Sequence, residues 1–370
     1  MANCYICETK IRDENLYREH ILLNSLGGKL KSSSLICRNC APYFDAIDAA
    51  LSKQLNPIGL LLNIKRDRGS NPSLKATITK TGEEIFIGAG GKPIPIKPTI
   101  DDSVIDGQLH LSISARDEKQ MREVLKGLKR KHPWIDVQSL LNNAVLSRDY
   151  LTSPVHHEET VGGDEAFRAI CKMAIGFYLH QGGMRDFITH LIPYIKDGQP
   201  TNCVRFFYPD DFTAMDGEKL SVLHTLYVRG DLSEEILFAH IDFFSTFKFL
   251  VLLSDRYHGK SFQETYSFDV INCTAVNQEM EIEISRKEVL DLLAQHSHPM
   301  QDINKAWINL QQALRIKQTD DYLSKLTKEV VEKHFKGIGE GTIFNQQMAA
   351  ELARDLAESY VTFMYRDELR

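Results

Sequence analysis

An α+β fold is predicted for this chain: a small cysteine-held module first, a mixed α/β region next, and a helical C-terminus last. Three observations predict it. Four of the seven cysteines fall within the first 40 residues, as Cys4, Cys7, Cys37 and Cys40. Between residues 203 and 272 short apolar runs alternate with polar turns, the pattern of an antiparallel sheet. From residue 286 onward apolar residues recur at helical spacing, with a break near Gly337-Ile-Gly-Glu-Gly341.

The elements follow in order. Residues 1–57 form the first domain. Phe44, Ile47, Leu51 and Leu55 recur at helical spacing, Pro42 suits the first turn, and Asn56-Pro57 is expected to end the helix. Residues 58–155 form a second segment, the most basic part of the chain. It holds short strands near 76–80 and 84–87, a Gly/Pro-rich loop or edge over 88–98, and a strand over 108–114. A charged helix over 117–131 completes it and carries Lys129, Arg130 and Lys131 at its end. Residues 156–370 form the third domain, opening on a polar linker that contains His156-His157-Glu158-Glu159. A helix over 165–179 puts Phe167, Ile170, Ala174, Phe177 and Tyr178 on one face. Five strands follow it, near 204–208, 221–227, 235–241, 247–253 and 263–270.

Composition limits what such a chain does. Its 370 residues are 43% hydrophobic and 25% charged, which marks a globular protein of two or three domains. The net charge of -6 gives no global support to nucleic-acid binding, so any such contact must come from a local basic patch. No apolar run reaches the roughly 18 residues of a membrane span, and the N-terminus lacks a signal-peptide pattern. A cytoplasmic location is the expectation. Gly88-Ala-Gly-Gly-Lys92 lacks the spacing and the Ser/Thr of a phosphate loop and reads as a turn. Cys171, Cys203 and Cys273 stand alone and read as small core residues.

The paired cysteines read as a metal site. Two Cys-x-x-Cys turns present four thiolates, which suits tetrahedral Zn²⁺ with every position filled by protein. Such an ion holds structure and does no chemistry itself. The residues between the two pairs leave room for a hairpin.

That intervening stretch carries Glu19-His20-Ile21, Asn24, Gly27-Gly28-Lys29 and Leu35-Ile36-Cys37-Arg38-Asn39-Cys40. It resembles the HNH (ββα-metal) endonucleases, and more narrowly their branch with two cysteine knuckles. The resemblance implies that His20 is the general base that activates water, and that Glu19 ligates a catalytic Mg²⁺ or Mn²⁺. A serine of the run Ser32-Ser-Ser34 stands where the family has its middle Asn. In this branch an Asn commonly follows the last cysteine as the second metal ligand, and here that residue is Ala41. Asp45 and Asp48, on the following helix, are the candidate replacements. Three readings stay open: a natural site that uses Asp45 or Asp48, a decayed nuclease, or an artificial Asn-to-Ala change. Lys29, Lys31 and Arg38 flank the base as candidate phosphate contacts, and Lys129, Arg130 and Lys131 are candidates for duplex backbone. The resemblance implies DNA cleavage, with RNA as the alternative substrate, in restriction or anti-phage defence. Coordinated cuts in both strands imply a homodimer. The competing reading is a non-catalytic zinc module that binds nucleic acid or a protein partner.

Overall fold

The structure is a computed structural model that describes residues 2–105, 108–145, 151, 153–209, 221–295, 298–339 and 341–365. Along the chain run β1 Glu19–His20, β2 Lys31–Ser32, α1 Asp45–Leu61, β3 Leu74–Ile78, β4 Glu84–Ile87, β5 Pro93–Pro95, β6 Thr99–Ile105, β7 Gln108–Ser114, α2 Glu118–Lys131, α3 Val137–Asn142 and β8 Val155–His156. There follow α4 Asp164–His180, α5 Ile192–Asp197, β9 Val204–Phe206, β10 Leu223–Asp231, β11 Ile236–Phe243, β12 Phe247–Ser254, β13 Phe262–Asp269, β14 Thr274–Val276, α6 Arg286–Ala294, α7 Met300–Phe335 and α8 Gln346–Met364. The α+β class, the cysteine module, the strand-rich middle and the C-terminal helices are all as the sequence predicts. Glu340, inside the expected break, and residues 366–370, at the expected helical end, lie outside the described residues.

The chain divides into two compact units, each built from two stretches. The first comprises Met1–Pro72 and Glu159–Thr319, the second Ser73–Glu158 and Asp320–Arg370.

In the first unit a six-stranded antiparallel sheet has the order β14-β13-β10-β11-β12-β9. Its central strand β11 is buried at all eight positions. Both faces of the sheet are covered, so the strand reads as a nearly continuous apolar run rather than an alternating one. On one face Tyr227, Ile236, Phe238 and Leu250 pack with Met280, Ile282, Val289 and Leu293. The opposite face belongs to a larger core that also holds α4 and the N-terminal module.

Helix α4 is the centre of that core. Eleven of its residues are buried, from Ala166 to Tyr178, so the expected single apolar face understates it. A helix apolar all round belongs inside a protein, and α4 lies between α1 and strands β10–β12. Helix α1 buries Ile47, Leu51, Leu55 and Ile58 against it. The expected stop at Pro57 does not occur: α1 runs through the proline to Leu61. Proline forfeits one hydrogen bond there, while continuing the helix buries Ile58 and Leu60.

In the second unit the four-stranded sheet β5-β4-β3-β8 and the hairpin β6–β7 are both antiparallel. The three-residue β5 is the extended edge that the Gly/Pro-rich loop allowed. Strand β6 has no counterpart among the sequence expectations, because Asp101-Asp102 interrupts its apolar alternation. Among the described residues no helix is long and apolar enough to cross a membrane.

Candidate active site

The four sulfurs of Cys4, Cys7, Cys37 and Cys40 lie within 4.8 Å of one another, with Cys7 and Cys37 3.7 Å apart. Zinc–thiolate bonds of about 2.3 Å in a tetrahedron put sulfurs roughly 3.8 Å apart, so the cluster fits Zn²⁺. Among the described residues this is the one group of three or more His, Cys, Asp or Glu side chains whose ligand atoms converge so tightly. His156 and His157 instead turn to Glu158 and to the Lys75 carbonyl.

Between the knuckles β1 and β2 pair as the expected hairpin, with Glu19 opposite Ser32 and His20 opposite Lys31. The turn between them needs its glycines. Gly27 has φ +87°, and a Cβ on Gly28 would stand 2.1 Å from the Leu22 carbonyl oxygen. Ser32 is buried, and its hydroxyl meets that of Ser34 at 3.0 Å, so the serine run braces its own loop.

Successive strand positions point to opposite sides, and Glu19 and His20 accordingly find different partners. Glu19 is only 7% exposed, and its carboxylate meets the Lys172 ammonium at 2.5 Å. Asp48, one turn into α1, meets the same ammonium at 2.6 Å. Burial pushes both carboxyls above the usual range, opposed by the positive charge of Lys172. Of the two candidate aspartates, the structure thus brings Asp48 to Glu19. Asp45 is exposed and raises the pKa of both by its charge alone. Ala41 is buried in the 3-10 turn before α1 and offers only a methyl group. Asn39 is exposed inside the knuckle.

His20 keeps 29% of its side chain exposed and sits 3.6 Å from Asp67. Its Nε2 has no hydrogen-bond partner among the described residues, and neither has the second oxygen of Asp48. Burial lowers the His20 pKa, Lys31 lowers it further, and Asp67 opposes both. Asp67 also takes the ammonium of Lys29 at 2.6 Å and that of Lys31, and its backbone N–H donates to Asn24 at 2.7 Å. Those two lysines hold the Asp67 carboxyl well below its ordinary value. Arg38 is exposed on the second knuckle and reaches the Leu16 carbonyl at 3.5 Å. Lys129, Arg130 and Lys131 stand exposed in the last turn of α2, in the second unit.

The sequence reading missed two residues of this constellation, Lys172 and Asp67. Lys172 had a signal: it is the single charge in a run of buried α4 residues. Asp67 had none, since Arg66-Asp67-Arg68 reads as an ordinary solvated loop.

The implied catalytic ion meets an obstacle here. Glu19 and Asp48 supply hard oxygen donors of the kind Mg²⁺ or Mn²⁺ prefers, but the place where they converge holds a lysine ammonium. As folded, the pair does not accommodate a divalent ion beside Lys172. No curated protein and no solved structure matches the chain. Residues 4–56 match the family model for HNH endonuclease, which suggests nuclease activity and a nucleic-acid substrate, and the four-cysteine cluster is consistent with a zinc-binding HNH module.

Proposed function

We propose that the module hydrolyses phosphodiester bonds, with DNA as the favoured substrate and RNA as the alternative. The observation that carries this is His20, which stands beside Glu19 on β1 and keeps 29% of its side chain exposed, while its Nε2 is buried 3.6 Å from Asp67. The exposed part of the ring is what an attacking water would meet, and an imidazole can take its proton as a general base. Asp67, 3.6 Å away, stabilises the imidazolium that results. Lys29 and Lys31 place two positive charges against the single carboxylate of Asp67, which leaves a local positive balance for a phosphate. Arg38 adds an exposed guanidinium on the same module. Lys129, Arg130 and Lys131 serve as a separate backbone contact, since a basic helix end suits phosphates without reading sequence. The roughly 300 residues beyond the module far exceed what cutting requires. By analogy of layout they sense, select or pair, in restriction or anti-phage defence and as a homodimer.

A non-catalytic zinc module that binds nucleic acid or a protein is the second reading. Ala41, with no donor oxygen at the position where the resemblance places a ligand, favours it. One assay separates the two. The chain as written and an Ala41→Asn variant are each given plasmid with Mg²⁺ or Mn²⁺. Cutting that falls about a hundredfold in His20→Ala supports the nuclease. Binding with no cutting by either form, at full zinc content, supports the second reading.

A further inference from the structure

We propose that Lys172 is the resident cation of the Glu19–Asp48 site, and that a divalent ion enters only by displacing its ammonium. The proposal deepens the nuclease reading of the module and rests on it.

Lys172 is 4% exposed, in the middle of a helix whose neighbouring positions are all core. A buried charge is tolerated only where partners replace its water. Here the partners are the carboxylates at 2.5 and 2.6 Å and, on a third side, the Phe44 ring, whose centroid lies 5.3 Å away.

The same two carboxylates are the ones a hard divalent ion would use. Glu19 is the acid beside the base, and Asp48 is the carboxylate the fold brings nearest to it. The second Asp48 oxygen lacks any hydrogen-bond partner among the described residues, so the ammonium leaves one donor of the site unused. A divalent ion with several oxygen ligands would engage what one ammonium cannot. While the ammonium stays, an incoming ion meets a like charge at the point of convergence. Because α4 is packed against both α1 and the sheet strands β10–β12, withdrawal of Lys172 is coupled to the sheet.

The test measures Mn²⁺ binding by electron paramagnetic resonance on the full zinc-loaded chain without nucleic acid. Lys172→Met and Lys172→Gln are compared with the wild type, the Gln variant retaining a hydrogen bond if Met fails to fold. At least tenfold tighter Mn²⁺ binding is expected in the lysine variants, together with a saturable rise in melting temperature on adding Mn²⁺. Both gains should vanish when Glu19→Gln is added. Two results would overturn the proposal. One is wild-type binding as tight as in the variants. The other is tight wild-type binding that Glu19→Gln or Asp48→Asn abolishes, which can be read without any lysine variant. A merely structural ion pair predicts destabilised variants with no Mn²⁺ rescue, and that too overturns it. Plasmid cutting is scored separately: a Lys172→Met protein that gains Mn²⁺ and cuts nothing sinks the nuclease reading and leaves the cation assignment standing.

Discussion

The cysteine module and the six-stranded sheet share one core yet depend on different forces. The sheet pairs long strands with one irregularity at Leu237/Phe238, and its central strand is buried along its whole length. Burial of that kind is worth about 25 cal/mol for each Å² of apolar surface and needs no ligand. The module has two two-residue strands, several single turns and one helix. Its apolar residues Ile21, Leu22, Leu26, Leu35 and Ile36 find their core only by joining α1, α4 and the sheet. What it lacks in ladder it offsets with four cysteines placed for a metal clip. The sheet holds itself by its ladder and burial, whereas the module leans on α4 and on a cysteine cluster suited to zinc.

That contrast can be broken at its strongest point. Stripping zinc with a chelator, or replacing Cys37 by Ser, should remove on the order of 10 kcal/mol of local stabilisation. The module should lose its hydrogen-exchange protection while strands β10–β12 keep theirs. Equal loss in both would show that the sheet leans on the module after all.

A smaller effect tests the hairpin. In Gly28→Ala the new Cβ would collide with a backbone carbonyl that has little room to move, and overpacking of this sort costs about 3 kcal/mol. Urea titration should show a lower midpoint with an unchanged slope. An unshifted midpoint would mean that the turn is softer than its geometry.

The seam between the regions gives the third prediction. His224 on β10 is fully buried, donates from Nε2 to the Leu26 carbonyl at 2.9 Å and accepts from the Phe244 N–H at 3.3 Å. Both bonds require the neutral ring, and burial lowers its pKa from 6.5 to about 4. A group with a depressed folded pKa stabilises above its unfolded value and loses that contribution as pH falls. Unfolding free energy should therefore drop by about 3 kcal/mol between pH 6.5 and 4. His224→Gln, which does not titrate, should flatten that slope and cost about 1 kcal/mol at pH 7. An unchanged slope in the variant would move the acid sensitivity elsewhere.

The two regions were also unequally legible in sequence. The cysteine pairs, the Gly-Gly turn and the helix spacing Ile47, Leu51, Leu55 are short-range patterns, and the chain honours each of them. The buried ion pair of the sheet is short-range as well, because Asp242 and Lys248 are direct partners across one hairpin. Lys172 and Asp48 are 124 residues apart. No periodicity links them, and only packing of α4 on α1 brings them together. Asp67 escaped notice for the same reason: its meaning comes from Lys29, Lys31 and His20, which reach it across a loop closure. Pro57 misled because a local rule about helix ends was outweighed by burial of the residues after it.

The separation of Asp48 from Lys172 has a consequence in time. Chains are made at about 5–20 residues per second, so Lys172 is synthesised roughly 6 to 25 seconds after Asp48. Both cysteine pairs precede that interval, so zinc can join them before α4 exists, while the module's apolar residues still await their core. For those seconds Glu19 and Asp48 face solvent without their ammonium. The moment at which a divalent ion meets the pair unopposed therefore lies in translation, before the finished protein has its own cation in place.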